Sequence, residues 1–129
     1  MSDKKKSLII TDGTEEIKAA AKIISGALDN FKVIIREAEK FSGTDLLPAD
    51  LFIIGCEKTD PASFAYLKEF LLHINLASRK CCVFSTNEKT LKYLCDLVKD
   101  CEAVLGEPLS VKDGLKKSDI KKWLKGVLK

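Results

Sequence analysis

The sequence predicts an α/β protein in which a parallel sheet carries helices on both faces. Four short apolar runs are largely continuous rather than alternating, as expected for strands buried on both sides. Segments with apolar residues at helical spacing follow these runs, so strand and helix alternate about five times along the chain. Such alternation is typical of a parallel sheet with helical crossovers. The four runs are Leu8–Ile10, Phe31–Ile35, Leu51–Cys56 and Lys80–Ser85.

The length and composition predict one domain. The chain has 129 residues, of which 46% are apolar and 32% charged, and no linker, repeat or low-complexity segment divides it. No apolar run approaches the roughly 18 residues of a membrane span. No signal-peptide core follows the N-terminus. We therefore expect a single domain, residues 1–129, in the cytoplasm and without membrane contact.

The first strand leads at once into the first helix. Asp12 is predicted to be the N-cap of that helix, and Glu15, three residues further on, completes a capping box. The following apolar residues recur at helical spacing and predict one buried face. That face consists of Ile17, Ala20, Ala21, Ile24 and Leu28.

A polar loop separates the second strand from the third. It contains Ser42-Gly43-Thr44-Asp45 and Pro48. Asp60-Pro61 is predicted to open the second helix, because proline in the first turn loses no intrahelical hydrogen bond. His73 lies off the apolar stripe of this helix, which favours a surface residue over a catalytic one. The stripe consists of Phe64, Leu67, Leu71 and Ile74.

The last third of the chain continues the alternation. Asn87 is predicted to cap the helix after the fourth strand, and Gly106 to end that segment. A short fifth strand is expected at Pro108–Val111, before a last helix that begins at Ser118 and Asp119. The predicted buried faces of the two helices are Leu91, Leu94, Cys95, Val98 and Cys101, and then Ile120, Trp123, Leu124 and Val127.

The five cysteines form neither a disulfide pattern nor a zinc pattern. Their number is odd, no C-x-x-C occurs, and His73 is the only histidine. Four of them lie in apolar patterns, where a free thiol behaves as a small hydrophobe. Cys81 and Cys82 are adjacent in a strand, so their side chains should point to opposite faces. We predict buried, reduced thiols and no metal ligands.

The net charge of +3 hides an uneven distribution. Residues 1–6 have a net charge of +2 and residues 110–129 one of +5, which leaves −4 for the residues between them. Arg36 and Arg79 are the only arginines, although arginine is the usual reader of base edges and phosphates. The pattern favours a solvated, lysine-rich last helix on an acidic body. It predicts no nucleic-acid partner and leaves the identity of a protein partner open.

Several segments resemble short-chain flavodoxins, and the likeness covers nearly the whole chain. Asp50–Cys56 (DLFIIGC) is similar to the strand of that family that ends in Gly-Cys. Lys92–Gly106 (KYLCDLVKDCEAVLG) is similar to its fourth helix, and Lys112–Leu115 (KDGL) and Asp119–Leu124 (DIKKWL) to its last loop and closing helix. The resemblance implies a flavodoxin-like three-layer α/β/α fold with a five-stranded parallel sheet in the order 2-1-3-4-5. It also implies a site for flavin mononucleotide (FMN) and electron transfer.

The loop after the first strand departs from the phosphate loop of that family. The family pattern is T/S-x-T-G-x-T, and it points backbone N–H groups and hydroxyls at the anion, at a helix N-terminus. Here the loop is about two residues shorter, Gly13 and Thr14 match the family's Gly and a later Thr, and Asp12 replaces a hydroxyl. Two glutamates follow. These carboxylates favour the helix start, but Asp12 as a cap would occupy N–H groups that a phosphate needs.

The other two loops lack the flavin contacts of the family. An aromatic ring, often Trp, is expected after the third strand, but Glu57–Pro61 contains none. A Tyr and a Gly-rich or acidic turn are expected after the fourth strand, but Ser85–Thr90 leads straight into the helix. Tyr66 and Tyr93 lie inside predicted helices. A flavin would therefore lose two stacking contacts, each worth roughly 0.5–1.5 kcal/mol beyond area burial.

Two functional hypotheses follow. The loops favour a non-enzymatic binding or regulatory module with a lost or altered FMN site and no catalytic residues. The alternative is a divergent flavodoxin that binds FMN and carries electrons without transforming a substrate. A pI of about 8.5 departs from the strongly acidic flavodoxins that donate electrons.

Two other kinds of site are less well supported by the sequence. A phospho-acceptor domain would need an Asp after the third strand, which ends in Gly55-Cys56. Asp12, Glu57 and Asp60 offer oxygen ligands that suit a divalent cation, but a solvated acidic rim is favoured.

If FMN or another anion binds, the loops at the carboxyl edge of the sheet are predicted to hold it, because ligands of such sheets bind there. The candidate residues are Thr11, Asp12, Gly13, Thr14 and Glu15 in the first loop, Glu57, Lys58 and Thr59 in the second, and Ser85, Thr86 and Asn87 in the third.

Overall fold

The structure is a computed structural model, and it describes residues 5–40, 49–72, 79–99, 104–111 and 117–127. A 3₁₀ turn, Ala62–Phe64, leads directly into the second helix. The strands are β1 (Lys5–Thr11), β2 (Phe31–Glu37), β3 (Leu51–Gly55), β4 (Lys80–Ser85), β5 (Val104–Leu105) and β6 (Leu109–Ser110). The helices are α1 (Glu15–Ala27), α2 (Ala65–Leu72), α3 (Glu88–Lys99) and α4 (Lys117–Val127).

The strands form one parallel sheet in the order β2-β1-β3-β4-β5, with β6 also paired to β4. Ile9 of β1 lies between Ile35 of β2 and Ile53 of β3, so the centre of the sheet is apolar across three strands. This order confirms the predicted α/β fold with a 2-1-3-4-5 sheet. All strands point the same way, so their carboxyl ends and the loops that follow them share one edge.

Two apolar layers cover the two faces of the sheet. On one face the side chains of α2 and α3 pack against alternate residues of the strands, Phe52 and Cys81 among them. On the other face α1 and α4 pack against Ile53 and Cys82. The adjacent cysteines therefore point to opposite faces, as predicted. Cys56, Cys81 and Cys82 are buried and Cys95 is half-buried, and all four are free thiols.

The start of α1 corrects one prediction. The N-cap is Thr14 rather than Asp12, and its side chain makes no capping hydrogen bond. Asp12 lies two residues earlier, where both of its carboxylate oxygens accept other hydrogen bonds. The predicted apolar face of α1 is buried, and Leu28, just beyond the helix, is buried with it.

The strand at the fifth position of the sheet corrects another prediction from the sequence. Val104 and Leu105 were expected to belong to the helical segment after the fourth strand. They instead form β5, and α3 ends at Lys99. The N–H groups of Val104 and Gly106 donate to Arg79 O (2.7 Å) and Cys81 O (2.9 Å), so pairing with β4 overrides the helical pattern. The expected strand at Pro108–Val111 is present as β6. The fifth position is thus shared by two short segments along β4.

Two further predictions concern the residues at which the second and the last helix begin. Pro61 is the N-cap of the 3₁₀ turn, so the second helix opens as 3₁₀ rather than α. The last helix begins one residue before Ser118, and its Trp123 Nε1 donates to Glu107 O (2.6 Å). The loop at 42–48, His73, Ile74, Cys101 and the side chain of Val127 lie outside the described residues.

Candidate functional site

The loops after β1, β3 and β4 meet at the carboxyl edge of the sheet, and the peptide groups of Glu57 join them. Its N–H donates to Asp12 Oδ2 of the first loop (2.8 Å). Its carbonyl oxygen accepts hydrogen bonds from Asn87 Nδ2 (2.9 Å) and Thr90 Oγ1 (3.2 Å) after β4. The three predicted loops are therefore brought together, and they bind one another through polar groups of this chain.

The first loop folds around Asp12. Its Oδ1 accepts hydrogen bonds from the backbone N–H of Thr14 (3.0 Å) and from Thr14 Oγ1 (2.6 Å). The N–H of Gly13 donates to Thr11 Oγ1 (3.3 Å), and Thr11 is buried. The N–H groups of Gly13 and Thr14, the hydroxyls of Thr11 and Thr14, and both Asp12 oxygens are thus engaged within the loop or with Glu57.

Asn87 is the predicted cap after β4, and the structure confirms it. Its Oδ1 accepts from the N–H of Thr90 (2.8 Å), and its carbonyl oxygen accepts from the N–H of Leu91 (3.2 Å). Asparagine is favoured at this position because its side chain satisfies an N–H that the helix leaves unpaired. Ser85 Oγ accepts from the N–H of Asn87 at 3.4 Å. Sequence reasoning did not identify Thr90, whose hydroxyl completes the link to Glu57.

Glu37 is a second residue that sequence reasoning missed. It ends β2 and its carboxylate lies over Gly13: a Cβ placed on Gly13 would be 2.5 Å from Glu37 Oε1. Gly13 has φ +85°, which favours glycine, so the backbone conformation selects it. Glu37 is half-exposed and pairs with Lys40 at 3.4 Å. Since β2 neighbours β1, the end of β2 could have been included among the edge loops from the sequence.

The other predicted site residues are more peripheral. Glu15, Lys58 and Thr59 are exposed, and Thr86 is half-buried. The carbonyl oxygen of Lys58 accepts a hydrogen bond from Cys56 Sγ (3.3 Å). Asp60 adopts φ +47°, uncommon for a residue with a side chain, and its carboxylate pairs with Lys68 of α2 at 2.8 Å.

A thiol and a phenol lie beneath the second loop. Burial and then the Asp12 carboxylate raise the pKa of Cys56 to about 12. Burial, the Asp60 carboxylate and the Cys56 thiol raise the pKa of Tyr93 to about 12. Tyr93 Oη is buried and has no hydrogen-bond partner among the described residues. At neutral pH both groups are therefore protonated, and the Cys56 thiol is a poor nucleophile.

Neither tyrosine of the chain lies in an edge loop. Tyr66 belongs to α2 and Tyr93 to α3, as predicted, and the Tyr66 ring packs against Phe70 at 6.1 Å between ring centroids. Within the described ranges, no group of three or more His, Cys, Asp or Glu side chains is arranged to hold a metal ion. No helix in the described part of the chain is long and apolar enough to span a membrane.

Comparison with solved structures identifies the fold. A short-chain flavodoxin associated with a bacterial microcompartment superposes with a TM-score of 0.81 at 19% identity, over 98% of this chain and 97% of that one. The flavodoxin of Streptococcus pneumonia TIGR4 gives 0.79 at 18% identity, over 95% of this chain and 97% of that one. Oxidised Flavodoxin 2 from Bacillus cereus gives 0.69 at 20% identity, over the same shares.

The chain therefore has the flavodoxin-like fold over nearly its whole length. No protein-family model matches it, and no curated protein matches it either. At identities of 20% or less, the likeness establishes the architecture and leaves the function to the residues at the carboxyl edge.

Proposed function

We propose that this protein is a non-enzymatic, flavodoxin-like binding or regulatory module whose FMN site has been replaced by internal hydrogen bonds. One observation supports it above the others: the Asp12 carboxylate accepts the N–H groups of Thr14 and Glu57. Backbone N–H groups at a helix N-terminus bind a phosphate in sites of this kind. In this chain the Asp12 carboxylate accepts the N–H of Thr14, the N-cap of α1, and the N–H of Glu57 in the second loop.

The electrostatics of the first loop support the same proposal. Asp12, Glu15, Glu16 and Glu37 place four carboxylates at or beside the start of α1. Like charges held close together repel, and the repulsion strengthens where water is partly excluded. A phosphate dianion entering this loop would have to displace Asp12 from its hydrogen bonds and would gain no nearby cation in the loop 11–16, which contains no lysine or arginine.

The absence of stacking groups adds a further unfavourable contribution to flavin binding. The loops 56–61 and 85–87 lie wholly within the described residues and contain no aromatic side chain. Asn87 and Thr90 instead donate hydrogen bonds to the carbonyl oxygen of Glu57, which join the loops after β3 and β4. Under this proposal the protein acts by binding a protein partner at a surface of the domain.

The alternative is a divergent flavodoxin that binds FMN and carries electrons. It is favoured by the superposition with three flavodoxins over at least 95% of this chain. Under this alternative Asp12 would have to rotate away so that the N–H groups of Thr14 and Glu57 could turn to the phosphate.

Amide NMR during titration with FMN tests the proposal at the atoms concerned. In the wild-type protein we expect the Thr14 and Glu57 amide signals to stay in place up to millimolar FMN. In Asp12→Ala the same amides lose their internal acceptor, so FMN or inorganic phosphate should shift them at lower concentration. Saturable shifts of both amides in the wild-type protein at micromolar FMN would overturn the proposal.

A further inference from the structure

The outer edge of β2 has no strand beside it in the described part of the chain. β2 (Phe31–Glu37) lies at one end of the strand order and pairs with β1 residue by residue along its whole length. It contains no proline and has the apolar run Val33-Ile34-Ile35 at its centre. A long, regular, apolar edge strand of this kind is a template for pairing with another strand.

The opposite edge of the sheet is less suited to pairing. β5 and β6 have two residues each and pair with different parts of β4. Short edge strands offer few hydrogen bonds to a partner. The contrast favours the edge of β2 as the surface at which another strand could be added.

The backbone of β2 presents alternate residues to this open edge. The N–H of Ala38 donates to Thr11 O of β1 (2.8 Å), so in this parallel ladder the even-numbered residues direct their peptide groups toward β1. The odd-numbered residues therefore direct their N–H and C=O groups away from the sheet. These residues are Phe31, Val33, Ile35 and Glu37.

Two of the outward groups near the centre of the strand already have partners within the chain. The N–H of Phe31 donates to Leu28 O in the preceding turn (3.1 Å). The guanidinium of Arg36 folds back so that its Nη1 donates to Ile35 O (3.2 Å). The other four groups make no hydrogen bond with any described residue. They are the C=O of Phe31, the N–H and C=O of Val33, and the N–H of Ile35.

We propose that the open edge of β2 pairs antiparallel with the same edge of a second copy of this chain, with Val33 opposite Val33. In that register the two Val33 residues exchange two hydrogen bonds, and each Ile35 N–H donates to Phe31 O of the second copy. These four hydrogen bonds use all four unpartnered groups of each copy. The groups left facing each other, Phe31 N–H and Ile35 O, are the two that each chain already satisfies internally.

The side chains also match in this register. On the face covered by α1 and α4, Val33 lies beside Val33 of the second copy and Phe31 beside Ile35. Apolar and aromatic–β-branched pairs of this kind stabilise strand pairing. These side chains are only half-buried in the single chain, so pairing removes further apolar surface from water. On the other face Lys32 lies opposite Ile34, so no like charges within β2 are directly opposed.

The neighbouring registers fit less well. With Ile34 opposite Ile34, Lys32 would face Arg36 of the second copy, and like charges directly opposite each other destabilise a strand pair. With Ile35 opposite Ile35, the central hydrogen bonds would require the carbonyl oxygen that Arg36 occupies. The register centred on Val33 avoids both conflicts.

The ends of the paired strands bring carboxylates near each other, and each of them has a lysine beside it. Asp29 would approach Glu37 of the second copy. Within one chain Asp29 pairs with Lys121 (3.4 Å) and Glu37 with Lys40 (3.4 Å). The lysines lower the repulsion between these carboxylates.

The proposed pairing closes on itself. A two-fold axis through the Val33 pair uses the same surface on both copies, so association stops at a dimer. The two sheets then form one continuous sheet.

Sedimentation equilibrium of the full chain, over a concentration series up to about 1 mM, tests the proposal. Val33→Pro removes the central outward N–H and no bond to β1, and proline is tolerated at such edge positions. Leu105→Pro is the matched control. The N–H groups of Val104 and Gly106 point to β4, so that of Leu105 points away from the sheet at its opposite edge. Circular dichroism checks the folding of both variants.

We expect the wild-type protein to form a reversible dimer. Val33→Pro should raise the dissociation constant at least about tenfold, because two of the four hydrogen bonds are lost. Leu105→Pro should dimerise like the wild type. A wild-type protein that stays monomeric throughout the series, equal weakening in both proline variants, or assemblies larger than a dimer would overturn the proposal.

Amide hydrogen exchange of the wild-type protein tests the register and does not depend on the folding of a variant. Where about 90% of the chain is dimeric, the Val33 and Ile35 amides should exchange about tenfold more slowly than in the monomer, because only the monomer exchanges. The Glu37 and Leu105 amides should keep their rates, since neither gains a partner. Unchanged exchange at Val33 and Ile35 in a dimeric sample, or protection of Glu37, would contradict the proposal.

The dimer goes beyond the proposed function and uses a different surface from the FMN loops, so the two proposals can fail separately. FMN titration reports on the amides of Thr14 and Glu57 at the carboxyl edge. Self-association reports on those of Val33 and Ile35 at the side of the sheet.

Discussion

At the scale of single residues, Asp12 is central to the proposal that the carboxyl edge no longer binds FMN. A hydroxyl at this position would also accept a backbone N–H but would carry no charge, whereas the Asp12 carboxylate adds a negative charge that opposes an incoming anion. The Asp12 carboxylate lies 2.8 Å from Glu57 N and 3.0 Å from Thr14 N, so it joins the first loop to the second.

Replacing Asp12 should cost stability as well as open the site. Asp12→Ala removes three hydrogen bonds to a half-buried carboxylate, and hydrogen bonds to charged groups contribute roughly 1.5–3 kcal/mol each, less here because water reaches the loop. We expect a loss of about 2 kcal/mol in the free energy of unfolding, measured by urea denaturation. Glu16→Ala, an exposed change in the same turn, is the control and should have little effect. Equal stability of Asp12→Ala and wild type would show that the hydrogen bonds of the Asp12 carboxylate do not stabilise the folded protein.

Gly55 is required by a close contact rather than by its backbone angles. A Cβ at this position would overlap the ring of Phe84 on the neighbouring strand. Gly55→Ala should therefore destabilise the protein by about 1–3 kcal/mol, as overpacking does. Gly26→Ala on α1 meets nothing within 4 Å and should leave stability unchanged or raise it.

Thermal denaturation of the two alanine variants provides the comparison. In a Phe84→Leu background the loss of stability caused by Gly55→Ala should be smaller, because the ring that the added Cβ would overlap is gone. An unchanged cost in that background would mean that Phe84 is not the obstacle.

At the scale of the elements, local patterns predicted most strands and helices because each apolar run or stripe fills one of two layers. Leu67 and Leu71 on one side of the sheet and Ile17 and Ile24 on the other are buried as their spacing indicates. Val104 and Leu105 were misassigned because two apolar residues after a helix have no period of their own. Only their pairing with β4 makes them a strand.

The start of α3 provides a test of capping at the level of an element. Asn87→Ala removes the bond to Thr90 N and the bond to Glu57 O, so we expect a loss of about 1–2 kcal/mol, within the range for N-caps. Asn87→Asp keeps the cap but lacks the Nδ2 donor to Glu57. It should therefore lose less stability than Asn87→Ala in urea denaturation. If both variants were as stable as wild type, neither bond would contribute.

At the scale of the whole molecule, the fold was predictable from the sequence, but the contacts between the loops at the carboxyl edge were only partly predictable. The edge loops were located correctly because parallel strands end at one edge. The hydrogen bond from Glu57 N to Asp12 joins residues 45 positions apart, and no local pattern encodes it. The approach of Glu37 to Gly13 depends on the pairing of β1 with β2, which is likewise a property of the assembled sheet.

The buried thiols make the folded protein sensitive to alkali. The pKa values of Cys56 and Cys82 are raised from 9.0 to about 12 by burial, so between these values the unfolded chain loses protons that the folded chain keeps. The stability is therefore full below pH 9 and falls as pH rises toward 12, by at most about 1.4 kcal/mol per pH unit for each thiol. Urea denaturation at pH 8, 9 and 10 measures the slope.

A variant isolates the contribution of one thiol to this slope. Cys82→Ala should be less stable than wild type at pH 8 because it leaves a cavity, yet its stability should fall less steeply between pH 9 and 10. A slope equal to that of the wild type would mean that Cys82 does not titrate on unfolding in this range.

The most direct test of the proposal that the carboxyl edge no longer binds FMN is a titration of the purified wild-type protein with FMN. Quenching of flavin fluorescence follows the binding, with a flavin-binding flavodoxin as positive control. Asp12 accepts the N–H groups of Thr14 and Glu57, and no aromatic side chain lies in the loops 56–61 and 85–87. We therefore predict no binding up to millimolar FMN, which corresponds to a binding free energy weaker than about −4 kcal/mol. Saturable quenching at micromolar FMN would contradict this account and would make electron transfer the leading function.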